Sequence, residues 1–408
     1  MAKSTSSVID RSTQISRVGI VGGGQLAWMM AKGAETLSLD LTVQTPSADD
    51  PACAIAHSVC LGAVKDAAVT AEMAQRCDVI TFENEFIDLS ALRELEKRGV
   101  TFYPQLDCLA PLLDKYDQRQ YCESIGLPSL PFATLEGEED ISDLKEVVET
   151  IGLPLVLKTR RHGYDGQGTF VLRSAQAVEN TWKELGYQPV LLEAFVDFDR
   201  ELAVMVARSQ AGDIAVYPVV ETVQIDQVCR RVIAPARVAD KVAADVTAIA
   251  TTLMDKLGVV GIFGIELFLT KAGQVLINEI APRTHNSGHY TLDACETSQF
   301  EQQLRAVSDR PLGSTALTVP NAVMVNLLGT EIGTENLDSD YAQERYAQER
   351  YAQKRETIAQ IPNAHVYWYG KKRSRLGRKM GHVTVLLNNS EDSIDSLIRQ
   401  VEQIWYDS

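Results

Sequence analysis

Short apolar runs alternate with stretches of helical length at the start of this chain. Val18-Gly-Ile-Val21 leads into Gly22-Gly23-Gly24, and a stretch from Gln25 to about Leu37 follows with helical spacing. Further apolar runs occupy Leu39–Val43 and Asp78–Phe82. Strands alternating with helices predict a parallel, doubly wound sheet over residues 18–108. A helical linker containing Asp114-Lys115-Tyr116 comes next and is broken at Leu127-Pro128-Ser129-Leu130-Pro131. The runs at 155–158, 169–172, 190–193 and 201–206 then predict an α+β region of mostly antiparallel strands, within a unit spanning 109–312. Ile262–Thr270 and Gln274–Ile280 flank Lys271-Ala272-Gly273, a hairpin signal. A two-residue Ala272-Gly273 turn would set Glu266 opposite Glu279, with Cβ atoms about 5 Å apart. A third unit is expected over 313–408. Within it, Tyr341-Ala-Gln-Glu-Arg345 is repeated from Tyr346 and nearly repeated from Tyr351. That five-residue spacing matches neither the helical nor the strand period, so 341–355 reads as a surface loop or a solvated helical excursion.

The chain has 408 residues, enough for two to four domains, and 45% are hydrophobic. A net charge of -16 argues against a general binder of nucleic acid or anionic membranes, while leaving room for local basic pockets. The seven cysteines are odd in number and contain no C-x-x-C pair. They read as reduced cytoplasmic thiols rather than a disulfide framework or zinc site. Apolar runs stay short of the roughly 18 residues of a membrane span. Residues 1–17 are polar, rich in Ser and Thr, and lack a signal-like apolar core, so a disordered tail is expected.

Candidate chemistry concentrates at Asn278-Glu-Ile-Ala-Pro-Arg-Thr-His-Asn-Ser-Gly-His-Tyr290, where acid, base, amide and imidazole groups crowd together. So many polar groups need partners, and a phosphorylated, hydrogen-bonding ligand would supply them. The facing Glu266 and Glu279 repel unless one is protonated, a basic side chain intervenes or a divalent cation bridges them. Hard carboxylate oxygens suit Mg²⁺ completed by substrate phosphates. Gly22-x-Gly24-x-x-Ala27 fits a dinucleotide fingerprint. Its confirming carboxylate is missing, because the second strand ends Val43-Gln44-Thr45-Pro46 and the first acid is Asp49. The loop and the following helix start could still take a phosphate. Gly163-Tyr164-Asp165-Gly166-Gln167-Gly168 reads as a flap able to approach phosphates, with Lys158 on the strand before it. His285 and His289 lie in a stretch that Pro282 and Gly288 shape into a loop, so hydrogen bonding to substrate or the Mg²⁺ shell is favoured over zinc.

A lysine strand, a glycine flap, a strand ending in Glu193 and a glutamate hairpin closing on Asn278-Glu279 together resemble the ATP-grasp superfamily. Val18–Leu26, Lys158–Gly168, Asn278–Thr291, Asp293–Glu301 and the tail segments Tyr369-Gly370-Lys371 and Gly377–His382 resemble the 5-(carboxyamino)imidazole ribonucleotide synthase (PurK) family. The resemblance implies a pre-ATP-grasp α/β domain, an ATP-grasp domain and a small C-terminal domain. It implies ATP- and bicarbonate-dependent carboxylation of the amine of 5-aminoimidazole ribonucleotide, in a homodimer. Lys115 and Lys158 would meet ATP phosphates beneath the flap formed by Gly163, Tyr164, Asp165, Gly166, Gln167, Gly168 and Thr169. Glu193, Ala194, Phe195 and Val196 would line the adenine pocket, Glu201 the ribose, with Gln224, Asn278 and Glu279 alongside, and Glu266 and Glu279 would hold Mg²⁺. The ribonucleotide would meet Gln25, Leu26, Glu83, Tyr164, Asp165, Arg283, Asn286, Lys371 and Arg378, with Asp165, Arg283 and Lys371 closest to the chemistry. Ala27, Gln167 and the 341–355 segment depart from the family's pattern. Another ATP-grasp ligase or a formate-dependent transformylase, a silent nucleotide-binding scaffold and a nicotinamide dehydrogenase are the competing readings.

Overall fold

The computed structural model describes residues 14–161, 168–330, 340–371, 374–388 and 392–406. Residues 1–13 of the expected tail and the flap residues Gly163, Tyr164, Asp165, Gly166 and Gln167 lie outside the described residues.

Strands β1 (Arg17–Val21), β2 (Asp40–Thr45), β3 (Ser58–Leu61) and β4 (Val79–Phe82) form a parallel sheet in the order β3-β2-β1-β4. Both faces of its centre are covered, which is why β1 and β4 read as continuous apolar runs. The expected helix after the glycines is two helices, Gln25–Trp28 and Ala31–Leu37. The second ends at Ser38 in the left-handed region (φ 52).

A smaller antiparallel sheet contains β5 (Phe132–Leu135), β6 (Leu155–Thr159), β7 (Thr169–Leu172) and β8 (Val190–Ala194), in the order β5-β8-β6-β7. Helices Leu144–Ile151 and Ala175–Glu184 bury Leu144, Val148, Val178 and Trp182 against it.

The largest sheet is built from β9 (Phe198–Arg208), β10 (Ile214–Val216), β11 (Val220–Ile225), β12 (Val228–Ala234), β13 (Gly261–Thr270), β14 (Val275–Ala281), β15 (Asn321–Leu328), β16 (Ala364–Trp368) and β17 (Lys379–Leu387). Its order is β14-β13-β9-β11-β12-β15-β17-β16, with β10 beside β9. Helix Asp240–Leu257 sends Val246, Ile249 and Leu253 into the core formed with Leu202, Phe263 and Leu267. The C-terminal strands continue this sheet, since β15 pairs antiparallel with β12. The backbone ladder therefore runs across the expected 312/313 boundary.

The pentad segment lies in helix Asp340–Ala359. Its third tyrosine departs from the expected solvated excursion. Tyr351 is buried, stacks on Trp405 at 5.1 Å and makes a 2.9 Å hydroxyl contact with Ser374. Its partners are remote in the chain, so the local period gave no sign of them.

The β13–β14 hairpin meets the expectation at one end and departs from it at the other. Thr270 N–H donates to the Gln274 carbonyl (2.9 Å), and Gly273 adopts φ +79. The connection is thus the three-residue Lys271-Ala272-Gly273, with glycine in the left-handed position such a loop requires. That moves the pairing by one residue, so Leu267 faces Ile277. An extra residue at Asn278 moves it back, and Glu266 does face Glu279. A bulge places two residues of one strand against one of its partner. Here Val275, Ile277 and Ile280 enter the core, while Asn278 and Glu279, consecutive in sequence, both stay out of it.

Candidate active site

Strand β14 lies at the edge of its sheet, where backbone groups need other partners. Helix Lys115–Ser124 supplies them with side chains. Asp114 caps the helix by accepting from Tyr116 N–H at 2.9 Å. Gln118 donates to the Ile280 carbonyl (2.9 Å) and accepts from Ile280 N–H (2.8 Å). Arg119 donates to the carbonyls of Ile277 (3.0 Å) and Asn278, and to Glu193. Lys115, one turn before Arg119, forms a 2.6 Å ion pair with Glu279.

Lys158 on β6 faces the same place from the other sheet. It pairs with Glu193 (2.7 Å) and donates to the Asn278 side-chain oxygen (3.1 Å). Glu193 is 1% exposed and lies between two cations. Burial would raise its carboxyl, but Lys158 and Arg119 outweigh that and hold it at about 2. Burial lowers the Lys158 ammonium, which Glu193 offsets and Arg119 and Lys115 reinforce. A desolvated cation beside other cations is suited to receive phosphate charge.

Across the hairpin, Glu266 is pushed up to about 7, by burial first and by Glu279 second. Burial works in the same direction on Glu279, but Lys115 and Lys158 outweigh it and hold that carboxyl below its ordinary range. Glu201 is also raised to about 7, by burial and then by Glu266, and a bond from Gln224 partly offsets this. His285 Nε2 stands 3.6 Å from Glu266, while Nδ1 contacts the Ser287 hydroxyl at 2.9 Å. Of the three anticipated compensations, a lysine stands beside Glu279, and the upward shift of Glu266 favours a proton on the other carboxyl. Among the described residues no group of three or more His, Cys, Asp or Glu is placed to hold a metal ion. A carboxylate pair with no third protein ligand fits Mg²⁺, which takes its remaining oxygens from water and phosphate.

The N-terminal glycine loop is arranged differently from the phosphate cradle anticipated. A Cβ at Gly22 or Gly24 would strike the carboxylate of Glu83, and Gly22 sits at φ +121. Glu83 also accepts from the Leu26 N–H, at the helix start where a phosphate would bind. Burial raises it to about 7, with Arg283 opposing. The Leu26 side chain is in the N-terminal core beside Gln25, which begins the short helix. Gln44, at the end of β2, is fully buried and bonded to Ala63, Asp66 and Thr70, so no ribose contact arises there. Arg283 pairs with Glu85 at 2.8 Å, and Glu83 and Glu279 also hold its charge. It links the end of the parallel sheet to the glutamate hairpin.

Two expected ligand contacts are redirected. The Asn286 amide exchanges bonds with Asn326 of β15 (2.9 and 2.7 Å), because both side chains are buried and need partners. His289 is fully buried between Phe300 and His382 and shares a 3.1 Å contact with Gln299, so it is a core histidine rather than a substrate contact. Burial drives both His289 and His382 down, His382 to about 3. Lys371 donates to the Lys379 carbonyl (2.8 Å) over the Tyr369 ring, and the Arg378 carbonyl accepts from Gly329 N–H at 2.7 Å. Lys379 is a tail cation felt by Glu266. Phe195 is 41% exposed just beyond β8, with Ala194 and Val196 partly buried around it.

Arg119, Glu85 and Lys379 were not among the expected site residues. Arg119 carried a signal in its i, i+4 spacing from Lys115 on a helix, and Lys379 in its place within the basic segment Gly377–His382.

Two sheets closing on paired lysines and paired glutamates define an ATP-grasp ligase. The ATP-grasp domain family matches residues 120–300, the ribonucleotide synthetase preATP-grasp domain residues 15–111, and the phosphoribosylaminoimidazole carboxylase C-terminal domain residues 322–396. The N5-carboxyaminoimidazole ribonucleotide synthase of Synechococcus elongatus is 51% identical over 396 residues, covering 96% of each chain. That of Bacillus subtilis is 36% identical over 389 residues, 95% of each. The Aspergillus clavatus synthase solved with ADP and 5-aminoimidazole ribonucleotide superimposes with a TM-score of 0.85 at 30% identity, covering 96% of this chain and 98% of that one. The chain belongs to the N5-carboxyaminoimidazole ribonucleotide synthase family, ligases of purine biosynthesis.

Proposed function

We propose that this chain uses ATP to activate bicarbonate and transfers the carboxyl group to the exocyclic amine of 5-aminoimidazole ribonucleotide. The carrying observation is the convergence of Lys115 and Lys158 on the Asn278-Glu279 bulge, with Glu266 opposite. Lys115 and Lys158 receive the phosphates of ATP, and the 163–169 flap covers them. Because the Glu193 carboxylate is committed to Lys158 and Arg119, adenine is received by the chain at Ala194, Phe195 and Val196. Glu201, whose carboxyl burial and Glu266 push upward, and Gln224 take the ribose hydroxyls. Glu266 and Glu279 would supply the protein oxygens for Mg²⁺. The ion's contribution, when bound, is to neutralise phosphoryl charge.

A bicarbonate oxygen attacks the γ-phosphorus, the bond to the bridging oxygen breaks, and ADP leaves. The amine then attacks the carboxyl carbon, the carbon–oxygen bond to phosphate breaks, and the amine gives up one proton. Asp165 accepts that proton. Arg283, next to Glu279 yet tied to the end of the parallel sheet, holds the anionic reactants between the two substrates. Exclusion of water by the flap protects the activated carboxyl group. We place the reaction in the cytoplasm and in a homodimer, in keeping with the family resemblance.

The test is ADP release measured with each substrate omitted in turn. It should require both bicarbonate and 5-aminoimidazole ribonucleotide, and formate should not replace bicarbonate. ADP release that is indifferent to the ribonucleotide would remove this reading.

A further inference from the structure

We infer that Arg119 is a positioning residue of the nucleotide site, acting by holding the Asn278 bulge of β14 in the shape that presents Asn278 and Glu279. The inference rests on reading that site as one for Mg²⁺-ATP. Arg119 is 2% exposed and its guanidinium reaches three acceptors, the Glu193 carboxylate and the carbonyls of Ile277 and Asn278. Those two carbonyls flank the point where the β13–β14 register shifts. A bulge on an edge strand lacks regular ladder bonds there, and other conformations of the segment compete with it. The planar fork of an arginine suits this place because its donors point at several acceptors at once.

The contacts close a ring. Arg119 holds Glu193, Glu193 holds Lys158 at 2.7 Å, Lys158 holds the Asn278 side chain at 3.1 Å, and the Asn278 carbonyl returns to Arg119. The ring joins β8 and β6 of the small sheet to β14 of the large one, so it also sets how the two lysines face the bulge. One helical turn away, Lys115 pairs with Glu279 itself. A change at Arg119 should therefore reach the metal and the ATP phosphates without touching the ribonucleotide.

The experiment compares the full chain with R119K, which keeps a cation for Glu193 but cannot span both carbonyls. Mg²⁺-dependent ATP binding is measured by calorimetry, and KM is measured for each substrate. The expected result is a folded protein whose Mg²⁺ half-saturation and KM for ATP rise by about tenfold, the scale of losing a supporting contact behind a metal ligand. The KM for 5-aminoimidazole ribonucleotide should not move. A merely structural role would lower the active fraction and leave every binding constant alone, and that outcome overturns the proposal. If R119K does not fold, R119Q, which leaves Glu193 paired with Lys158, is read the same way. Wild-type protein that binds no Mg²⁺-ATP would instead count against the reading of the site.

Discussion

Glu266→Gln tests the electrostatics of the hairpin in the metal-free protein. The substitution preserves shape and removes the charge. Glu266 is 26% exposed at its side chain, and its carboxyl is raised from 4.5 to about 7 by burial and Glu279. Below pH 4.5 the group is protonated in folded and unfolded chains alike and contributes nothing. As pH rises toward 7 the unfolded chain releases the proton while the folded chain keeps it. Stability then falls with pH, and above 7 the deficit is constant at ~3 kcal/mol. Chemical denaturation in chelator at steps between about pH 5 and pH 8 should show wild type losing that much relative to the variant. Glu201 contributes to the difference, because Glu266 helps raise it too. Saturating Mg²⁺ should restore wild type by binding only the folded state, and should do much less for the variant. Parallel pH profiles for the two proteins would refute the argument.

Four further outcomes are expected. Glu279→Gln removes the partner of Lys115 and half of the carboxylate pair, and should abolish Mg²⁺-dependent ADP release; turnover at the wild-type rate contradicts the assignment. Asn286→Ala leaves the buried Asn326 side-chain oxygen without its donor, while its Nδ2 keeps the Cys229 carbonyl, and should cost about 1–3 kcal/mol in a thermal or urea melt, with the KM for ribonucleotide unchanged. A raised KM with unchanged stability would restore Asn286 as a substrate contact. His382 stays neutral in the fold down to about 3 while the unfolded chain takes a proton near 6.5. Stability should therefore fall as pH drops below about 6.5, by up to ~1.4 kcal/mol per pH unit, and His382→Phe should flatten that slope; an unaltered slope between about pH 6 and pH 4 counts against it. Asp165→Asn should slow carboxylation while ATP binding persists, and a full carboxylation rate would exclude Asp165 as the proton acceptor.

Much of this architecture was legible in the amino-acid order, because strand burial leaves local marks. The runs at 18–21, 155–158 and 190–193 each became strands, and the hairpin brought Glu266 to Glu279. That pairing came out as expected even though the turn did not. Turn length is a local guess, whereas the bulge that compensates for it depends on which residues the core accepts. By itself the sequence determined the ATP-grasp order of parts, the lysine strand and the acidic pair. Only the tertiary structure decided that Asn278 and Glu279 share a side, that Glu83 fills the glycine loop and that Asn286 clasps Asn326. It also decided that His289 belongs to the core and that Arg119 braces the edge strand. The physical reason is common to all of these. A polar side chain looks the same in sequence whether it awaits a ligand or satisfies a distant buried partner, and only the packed chain shows which groups have already been paired.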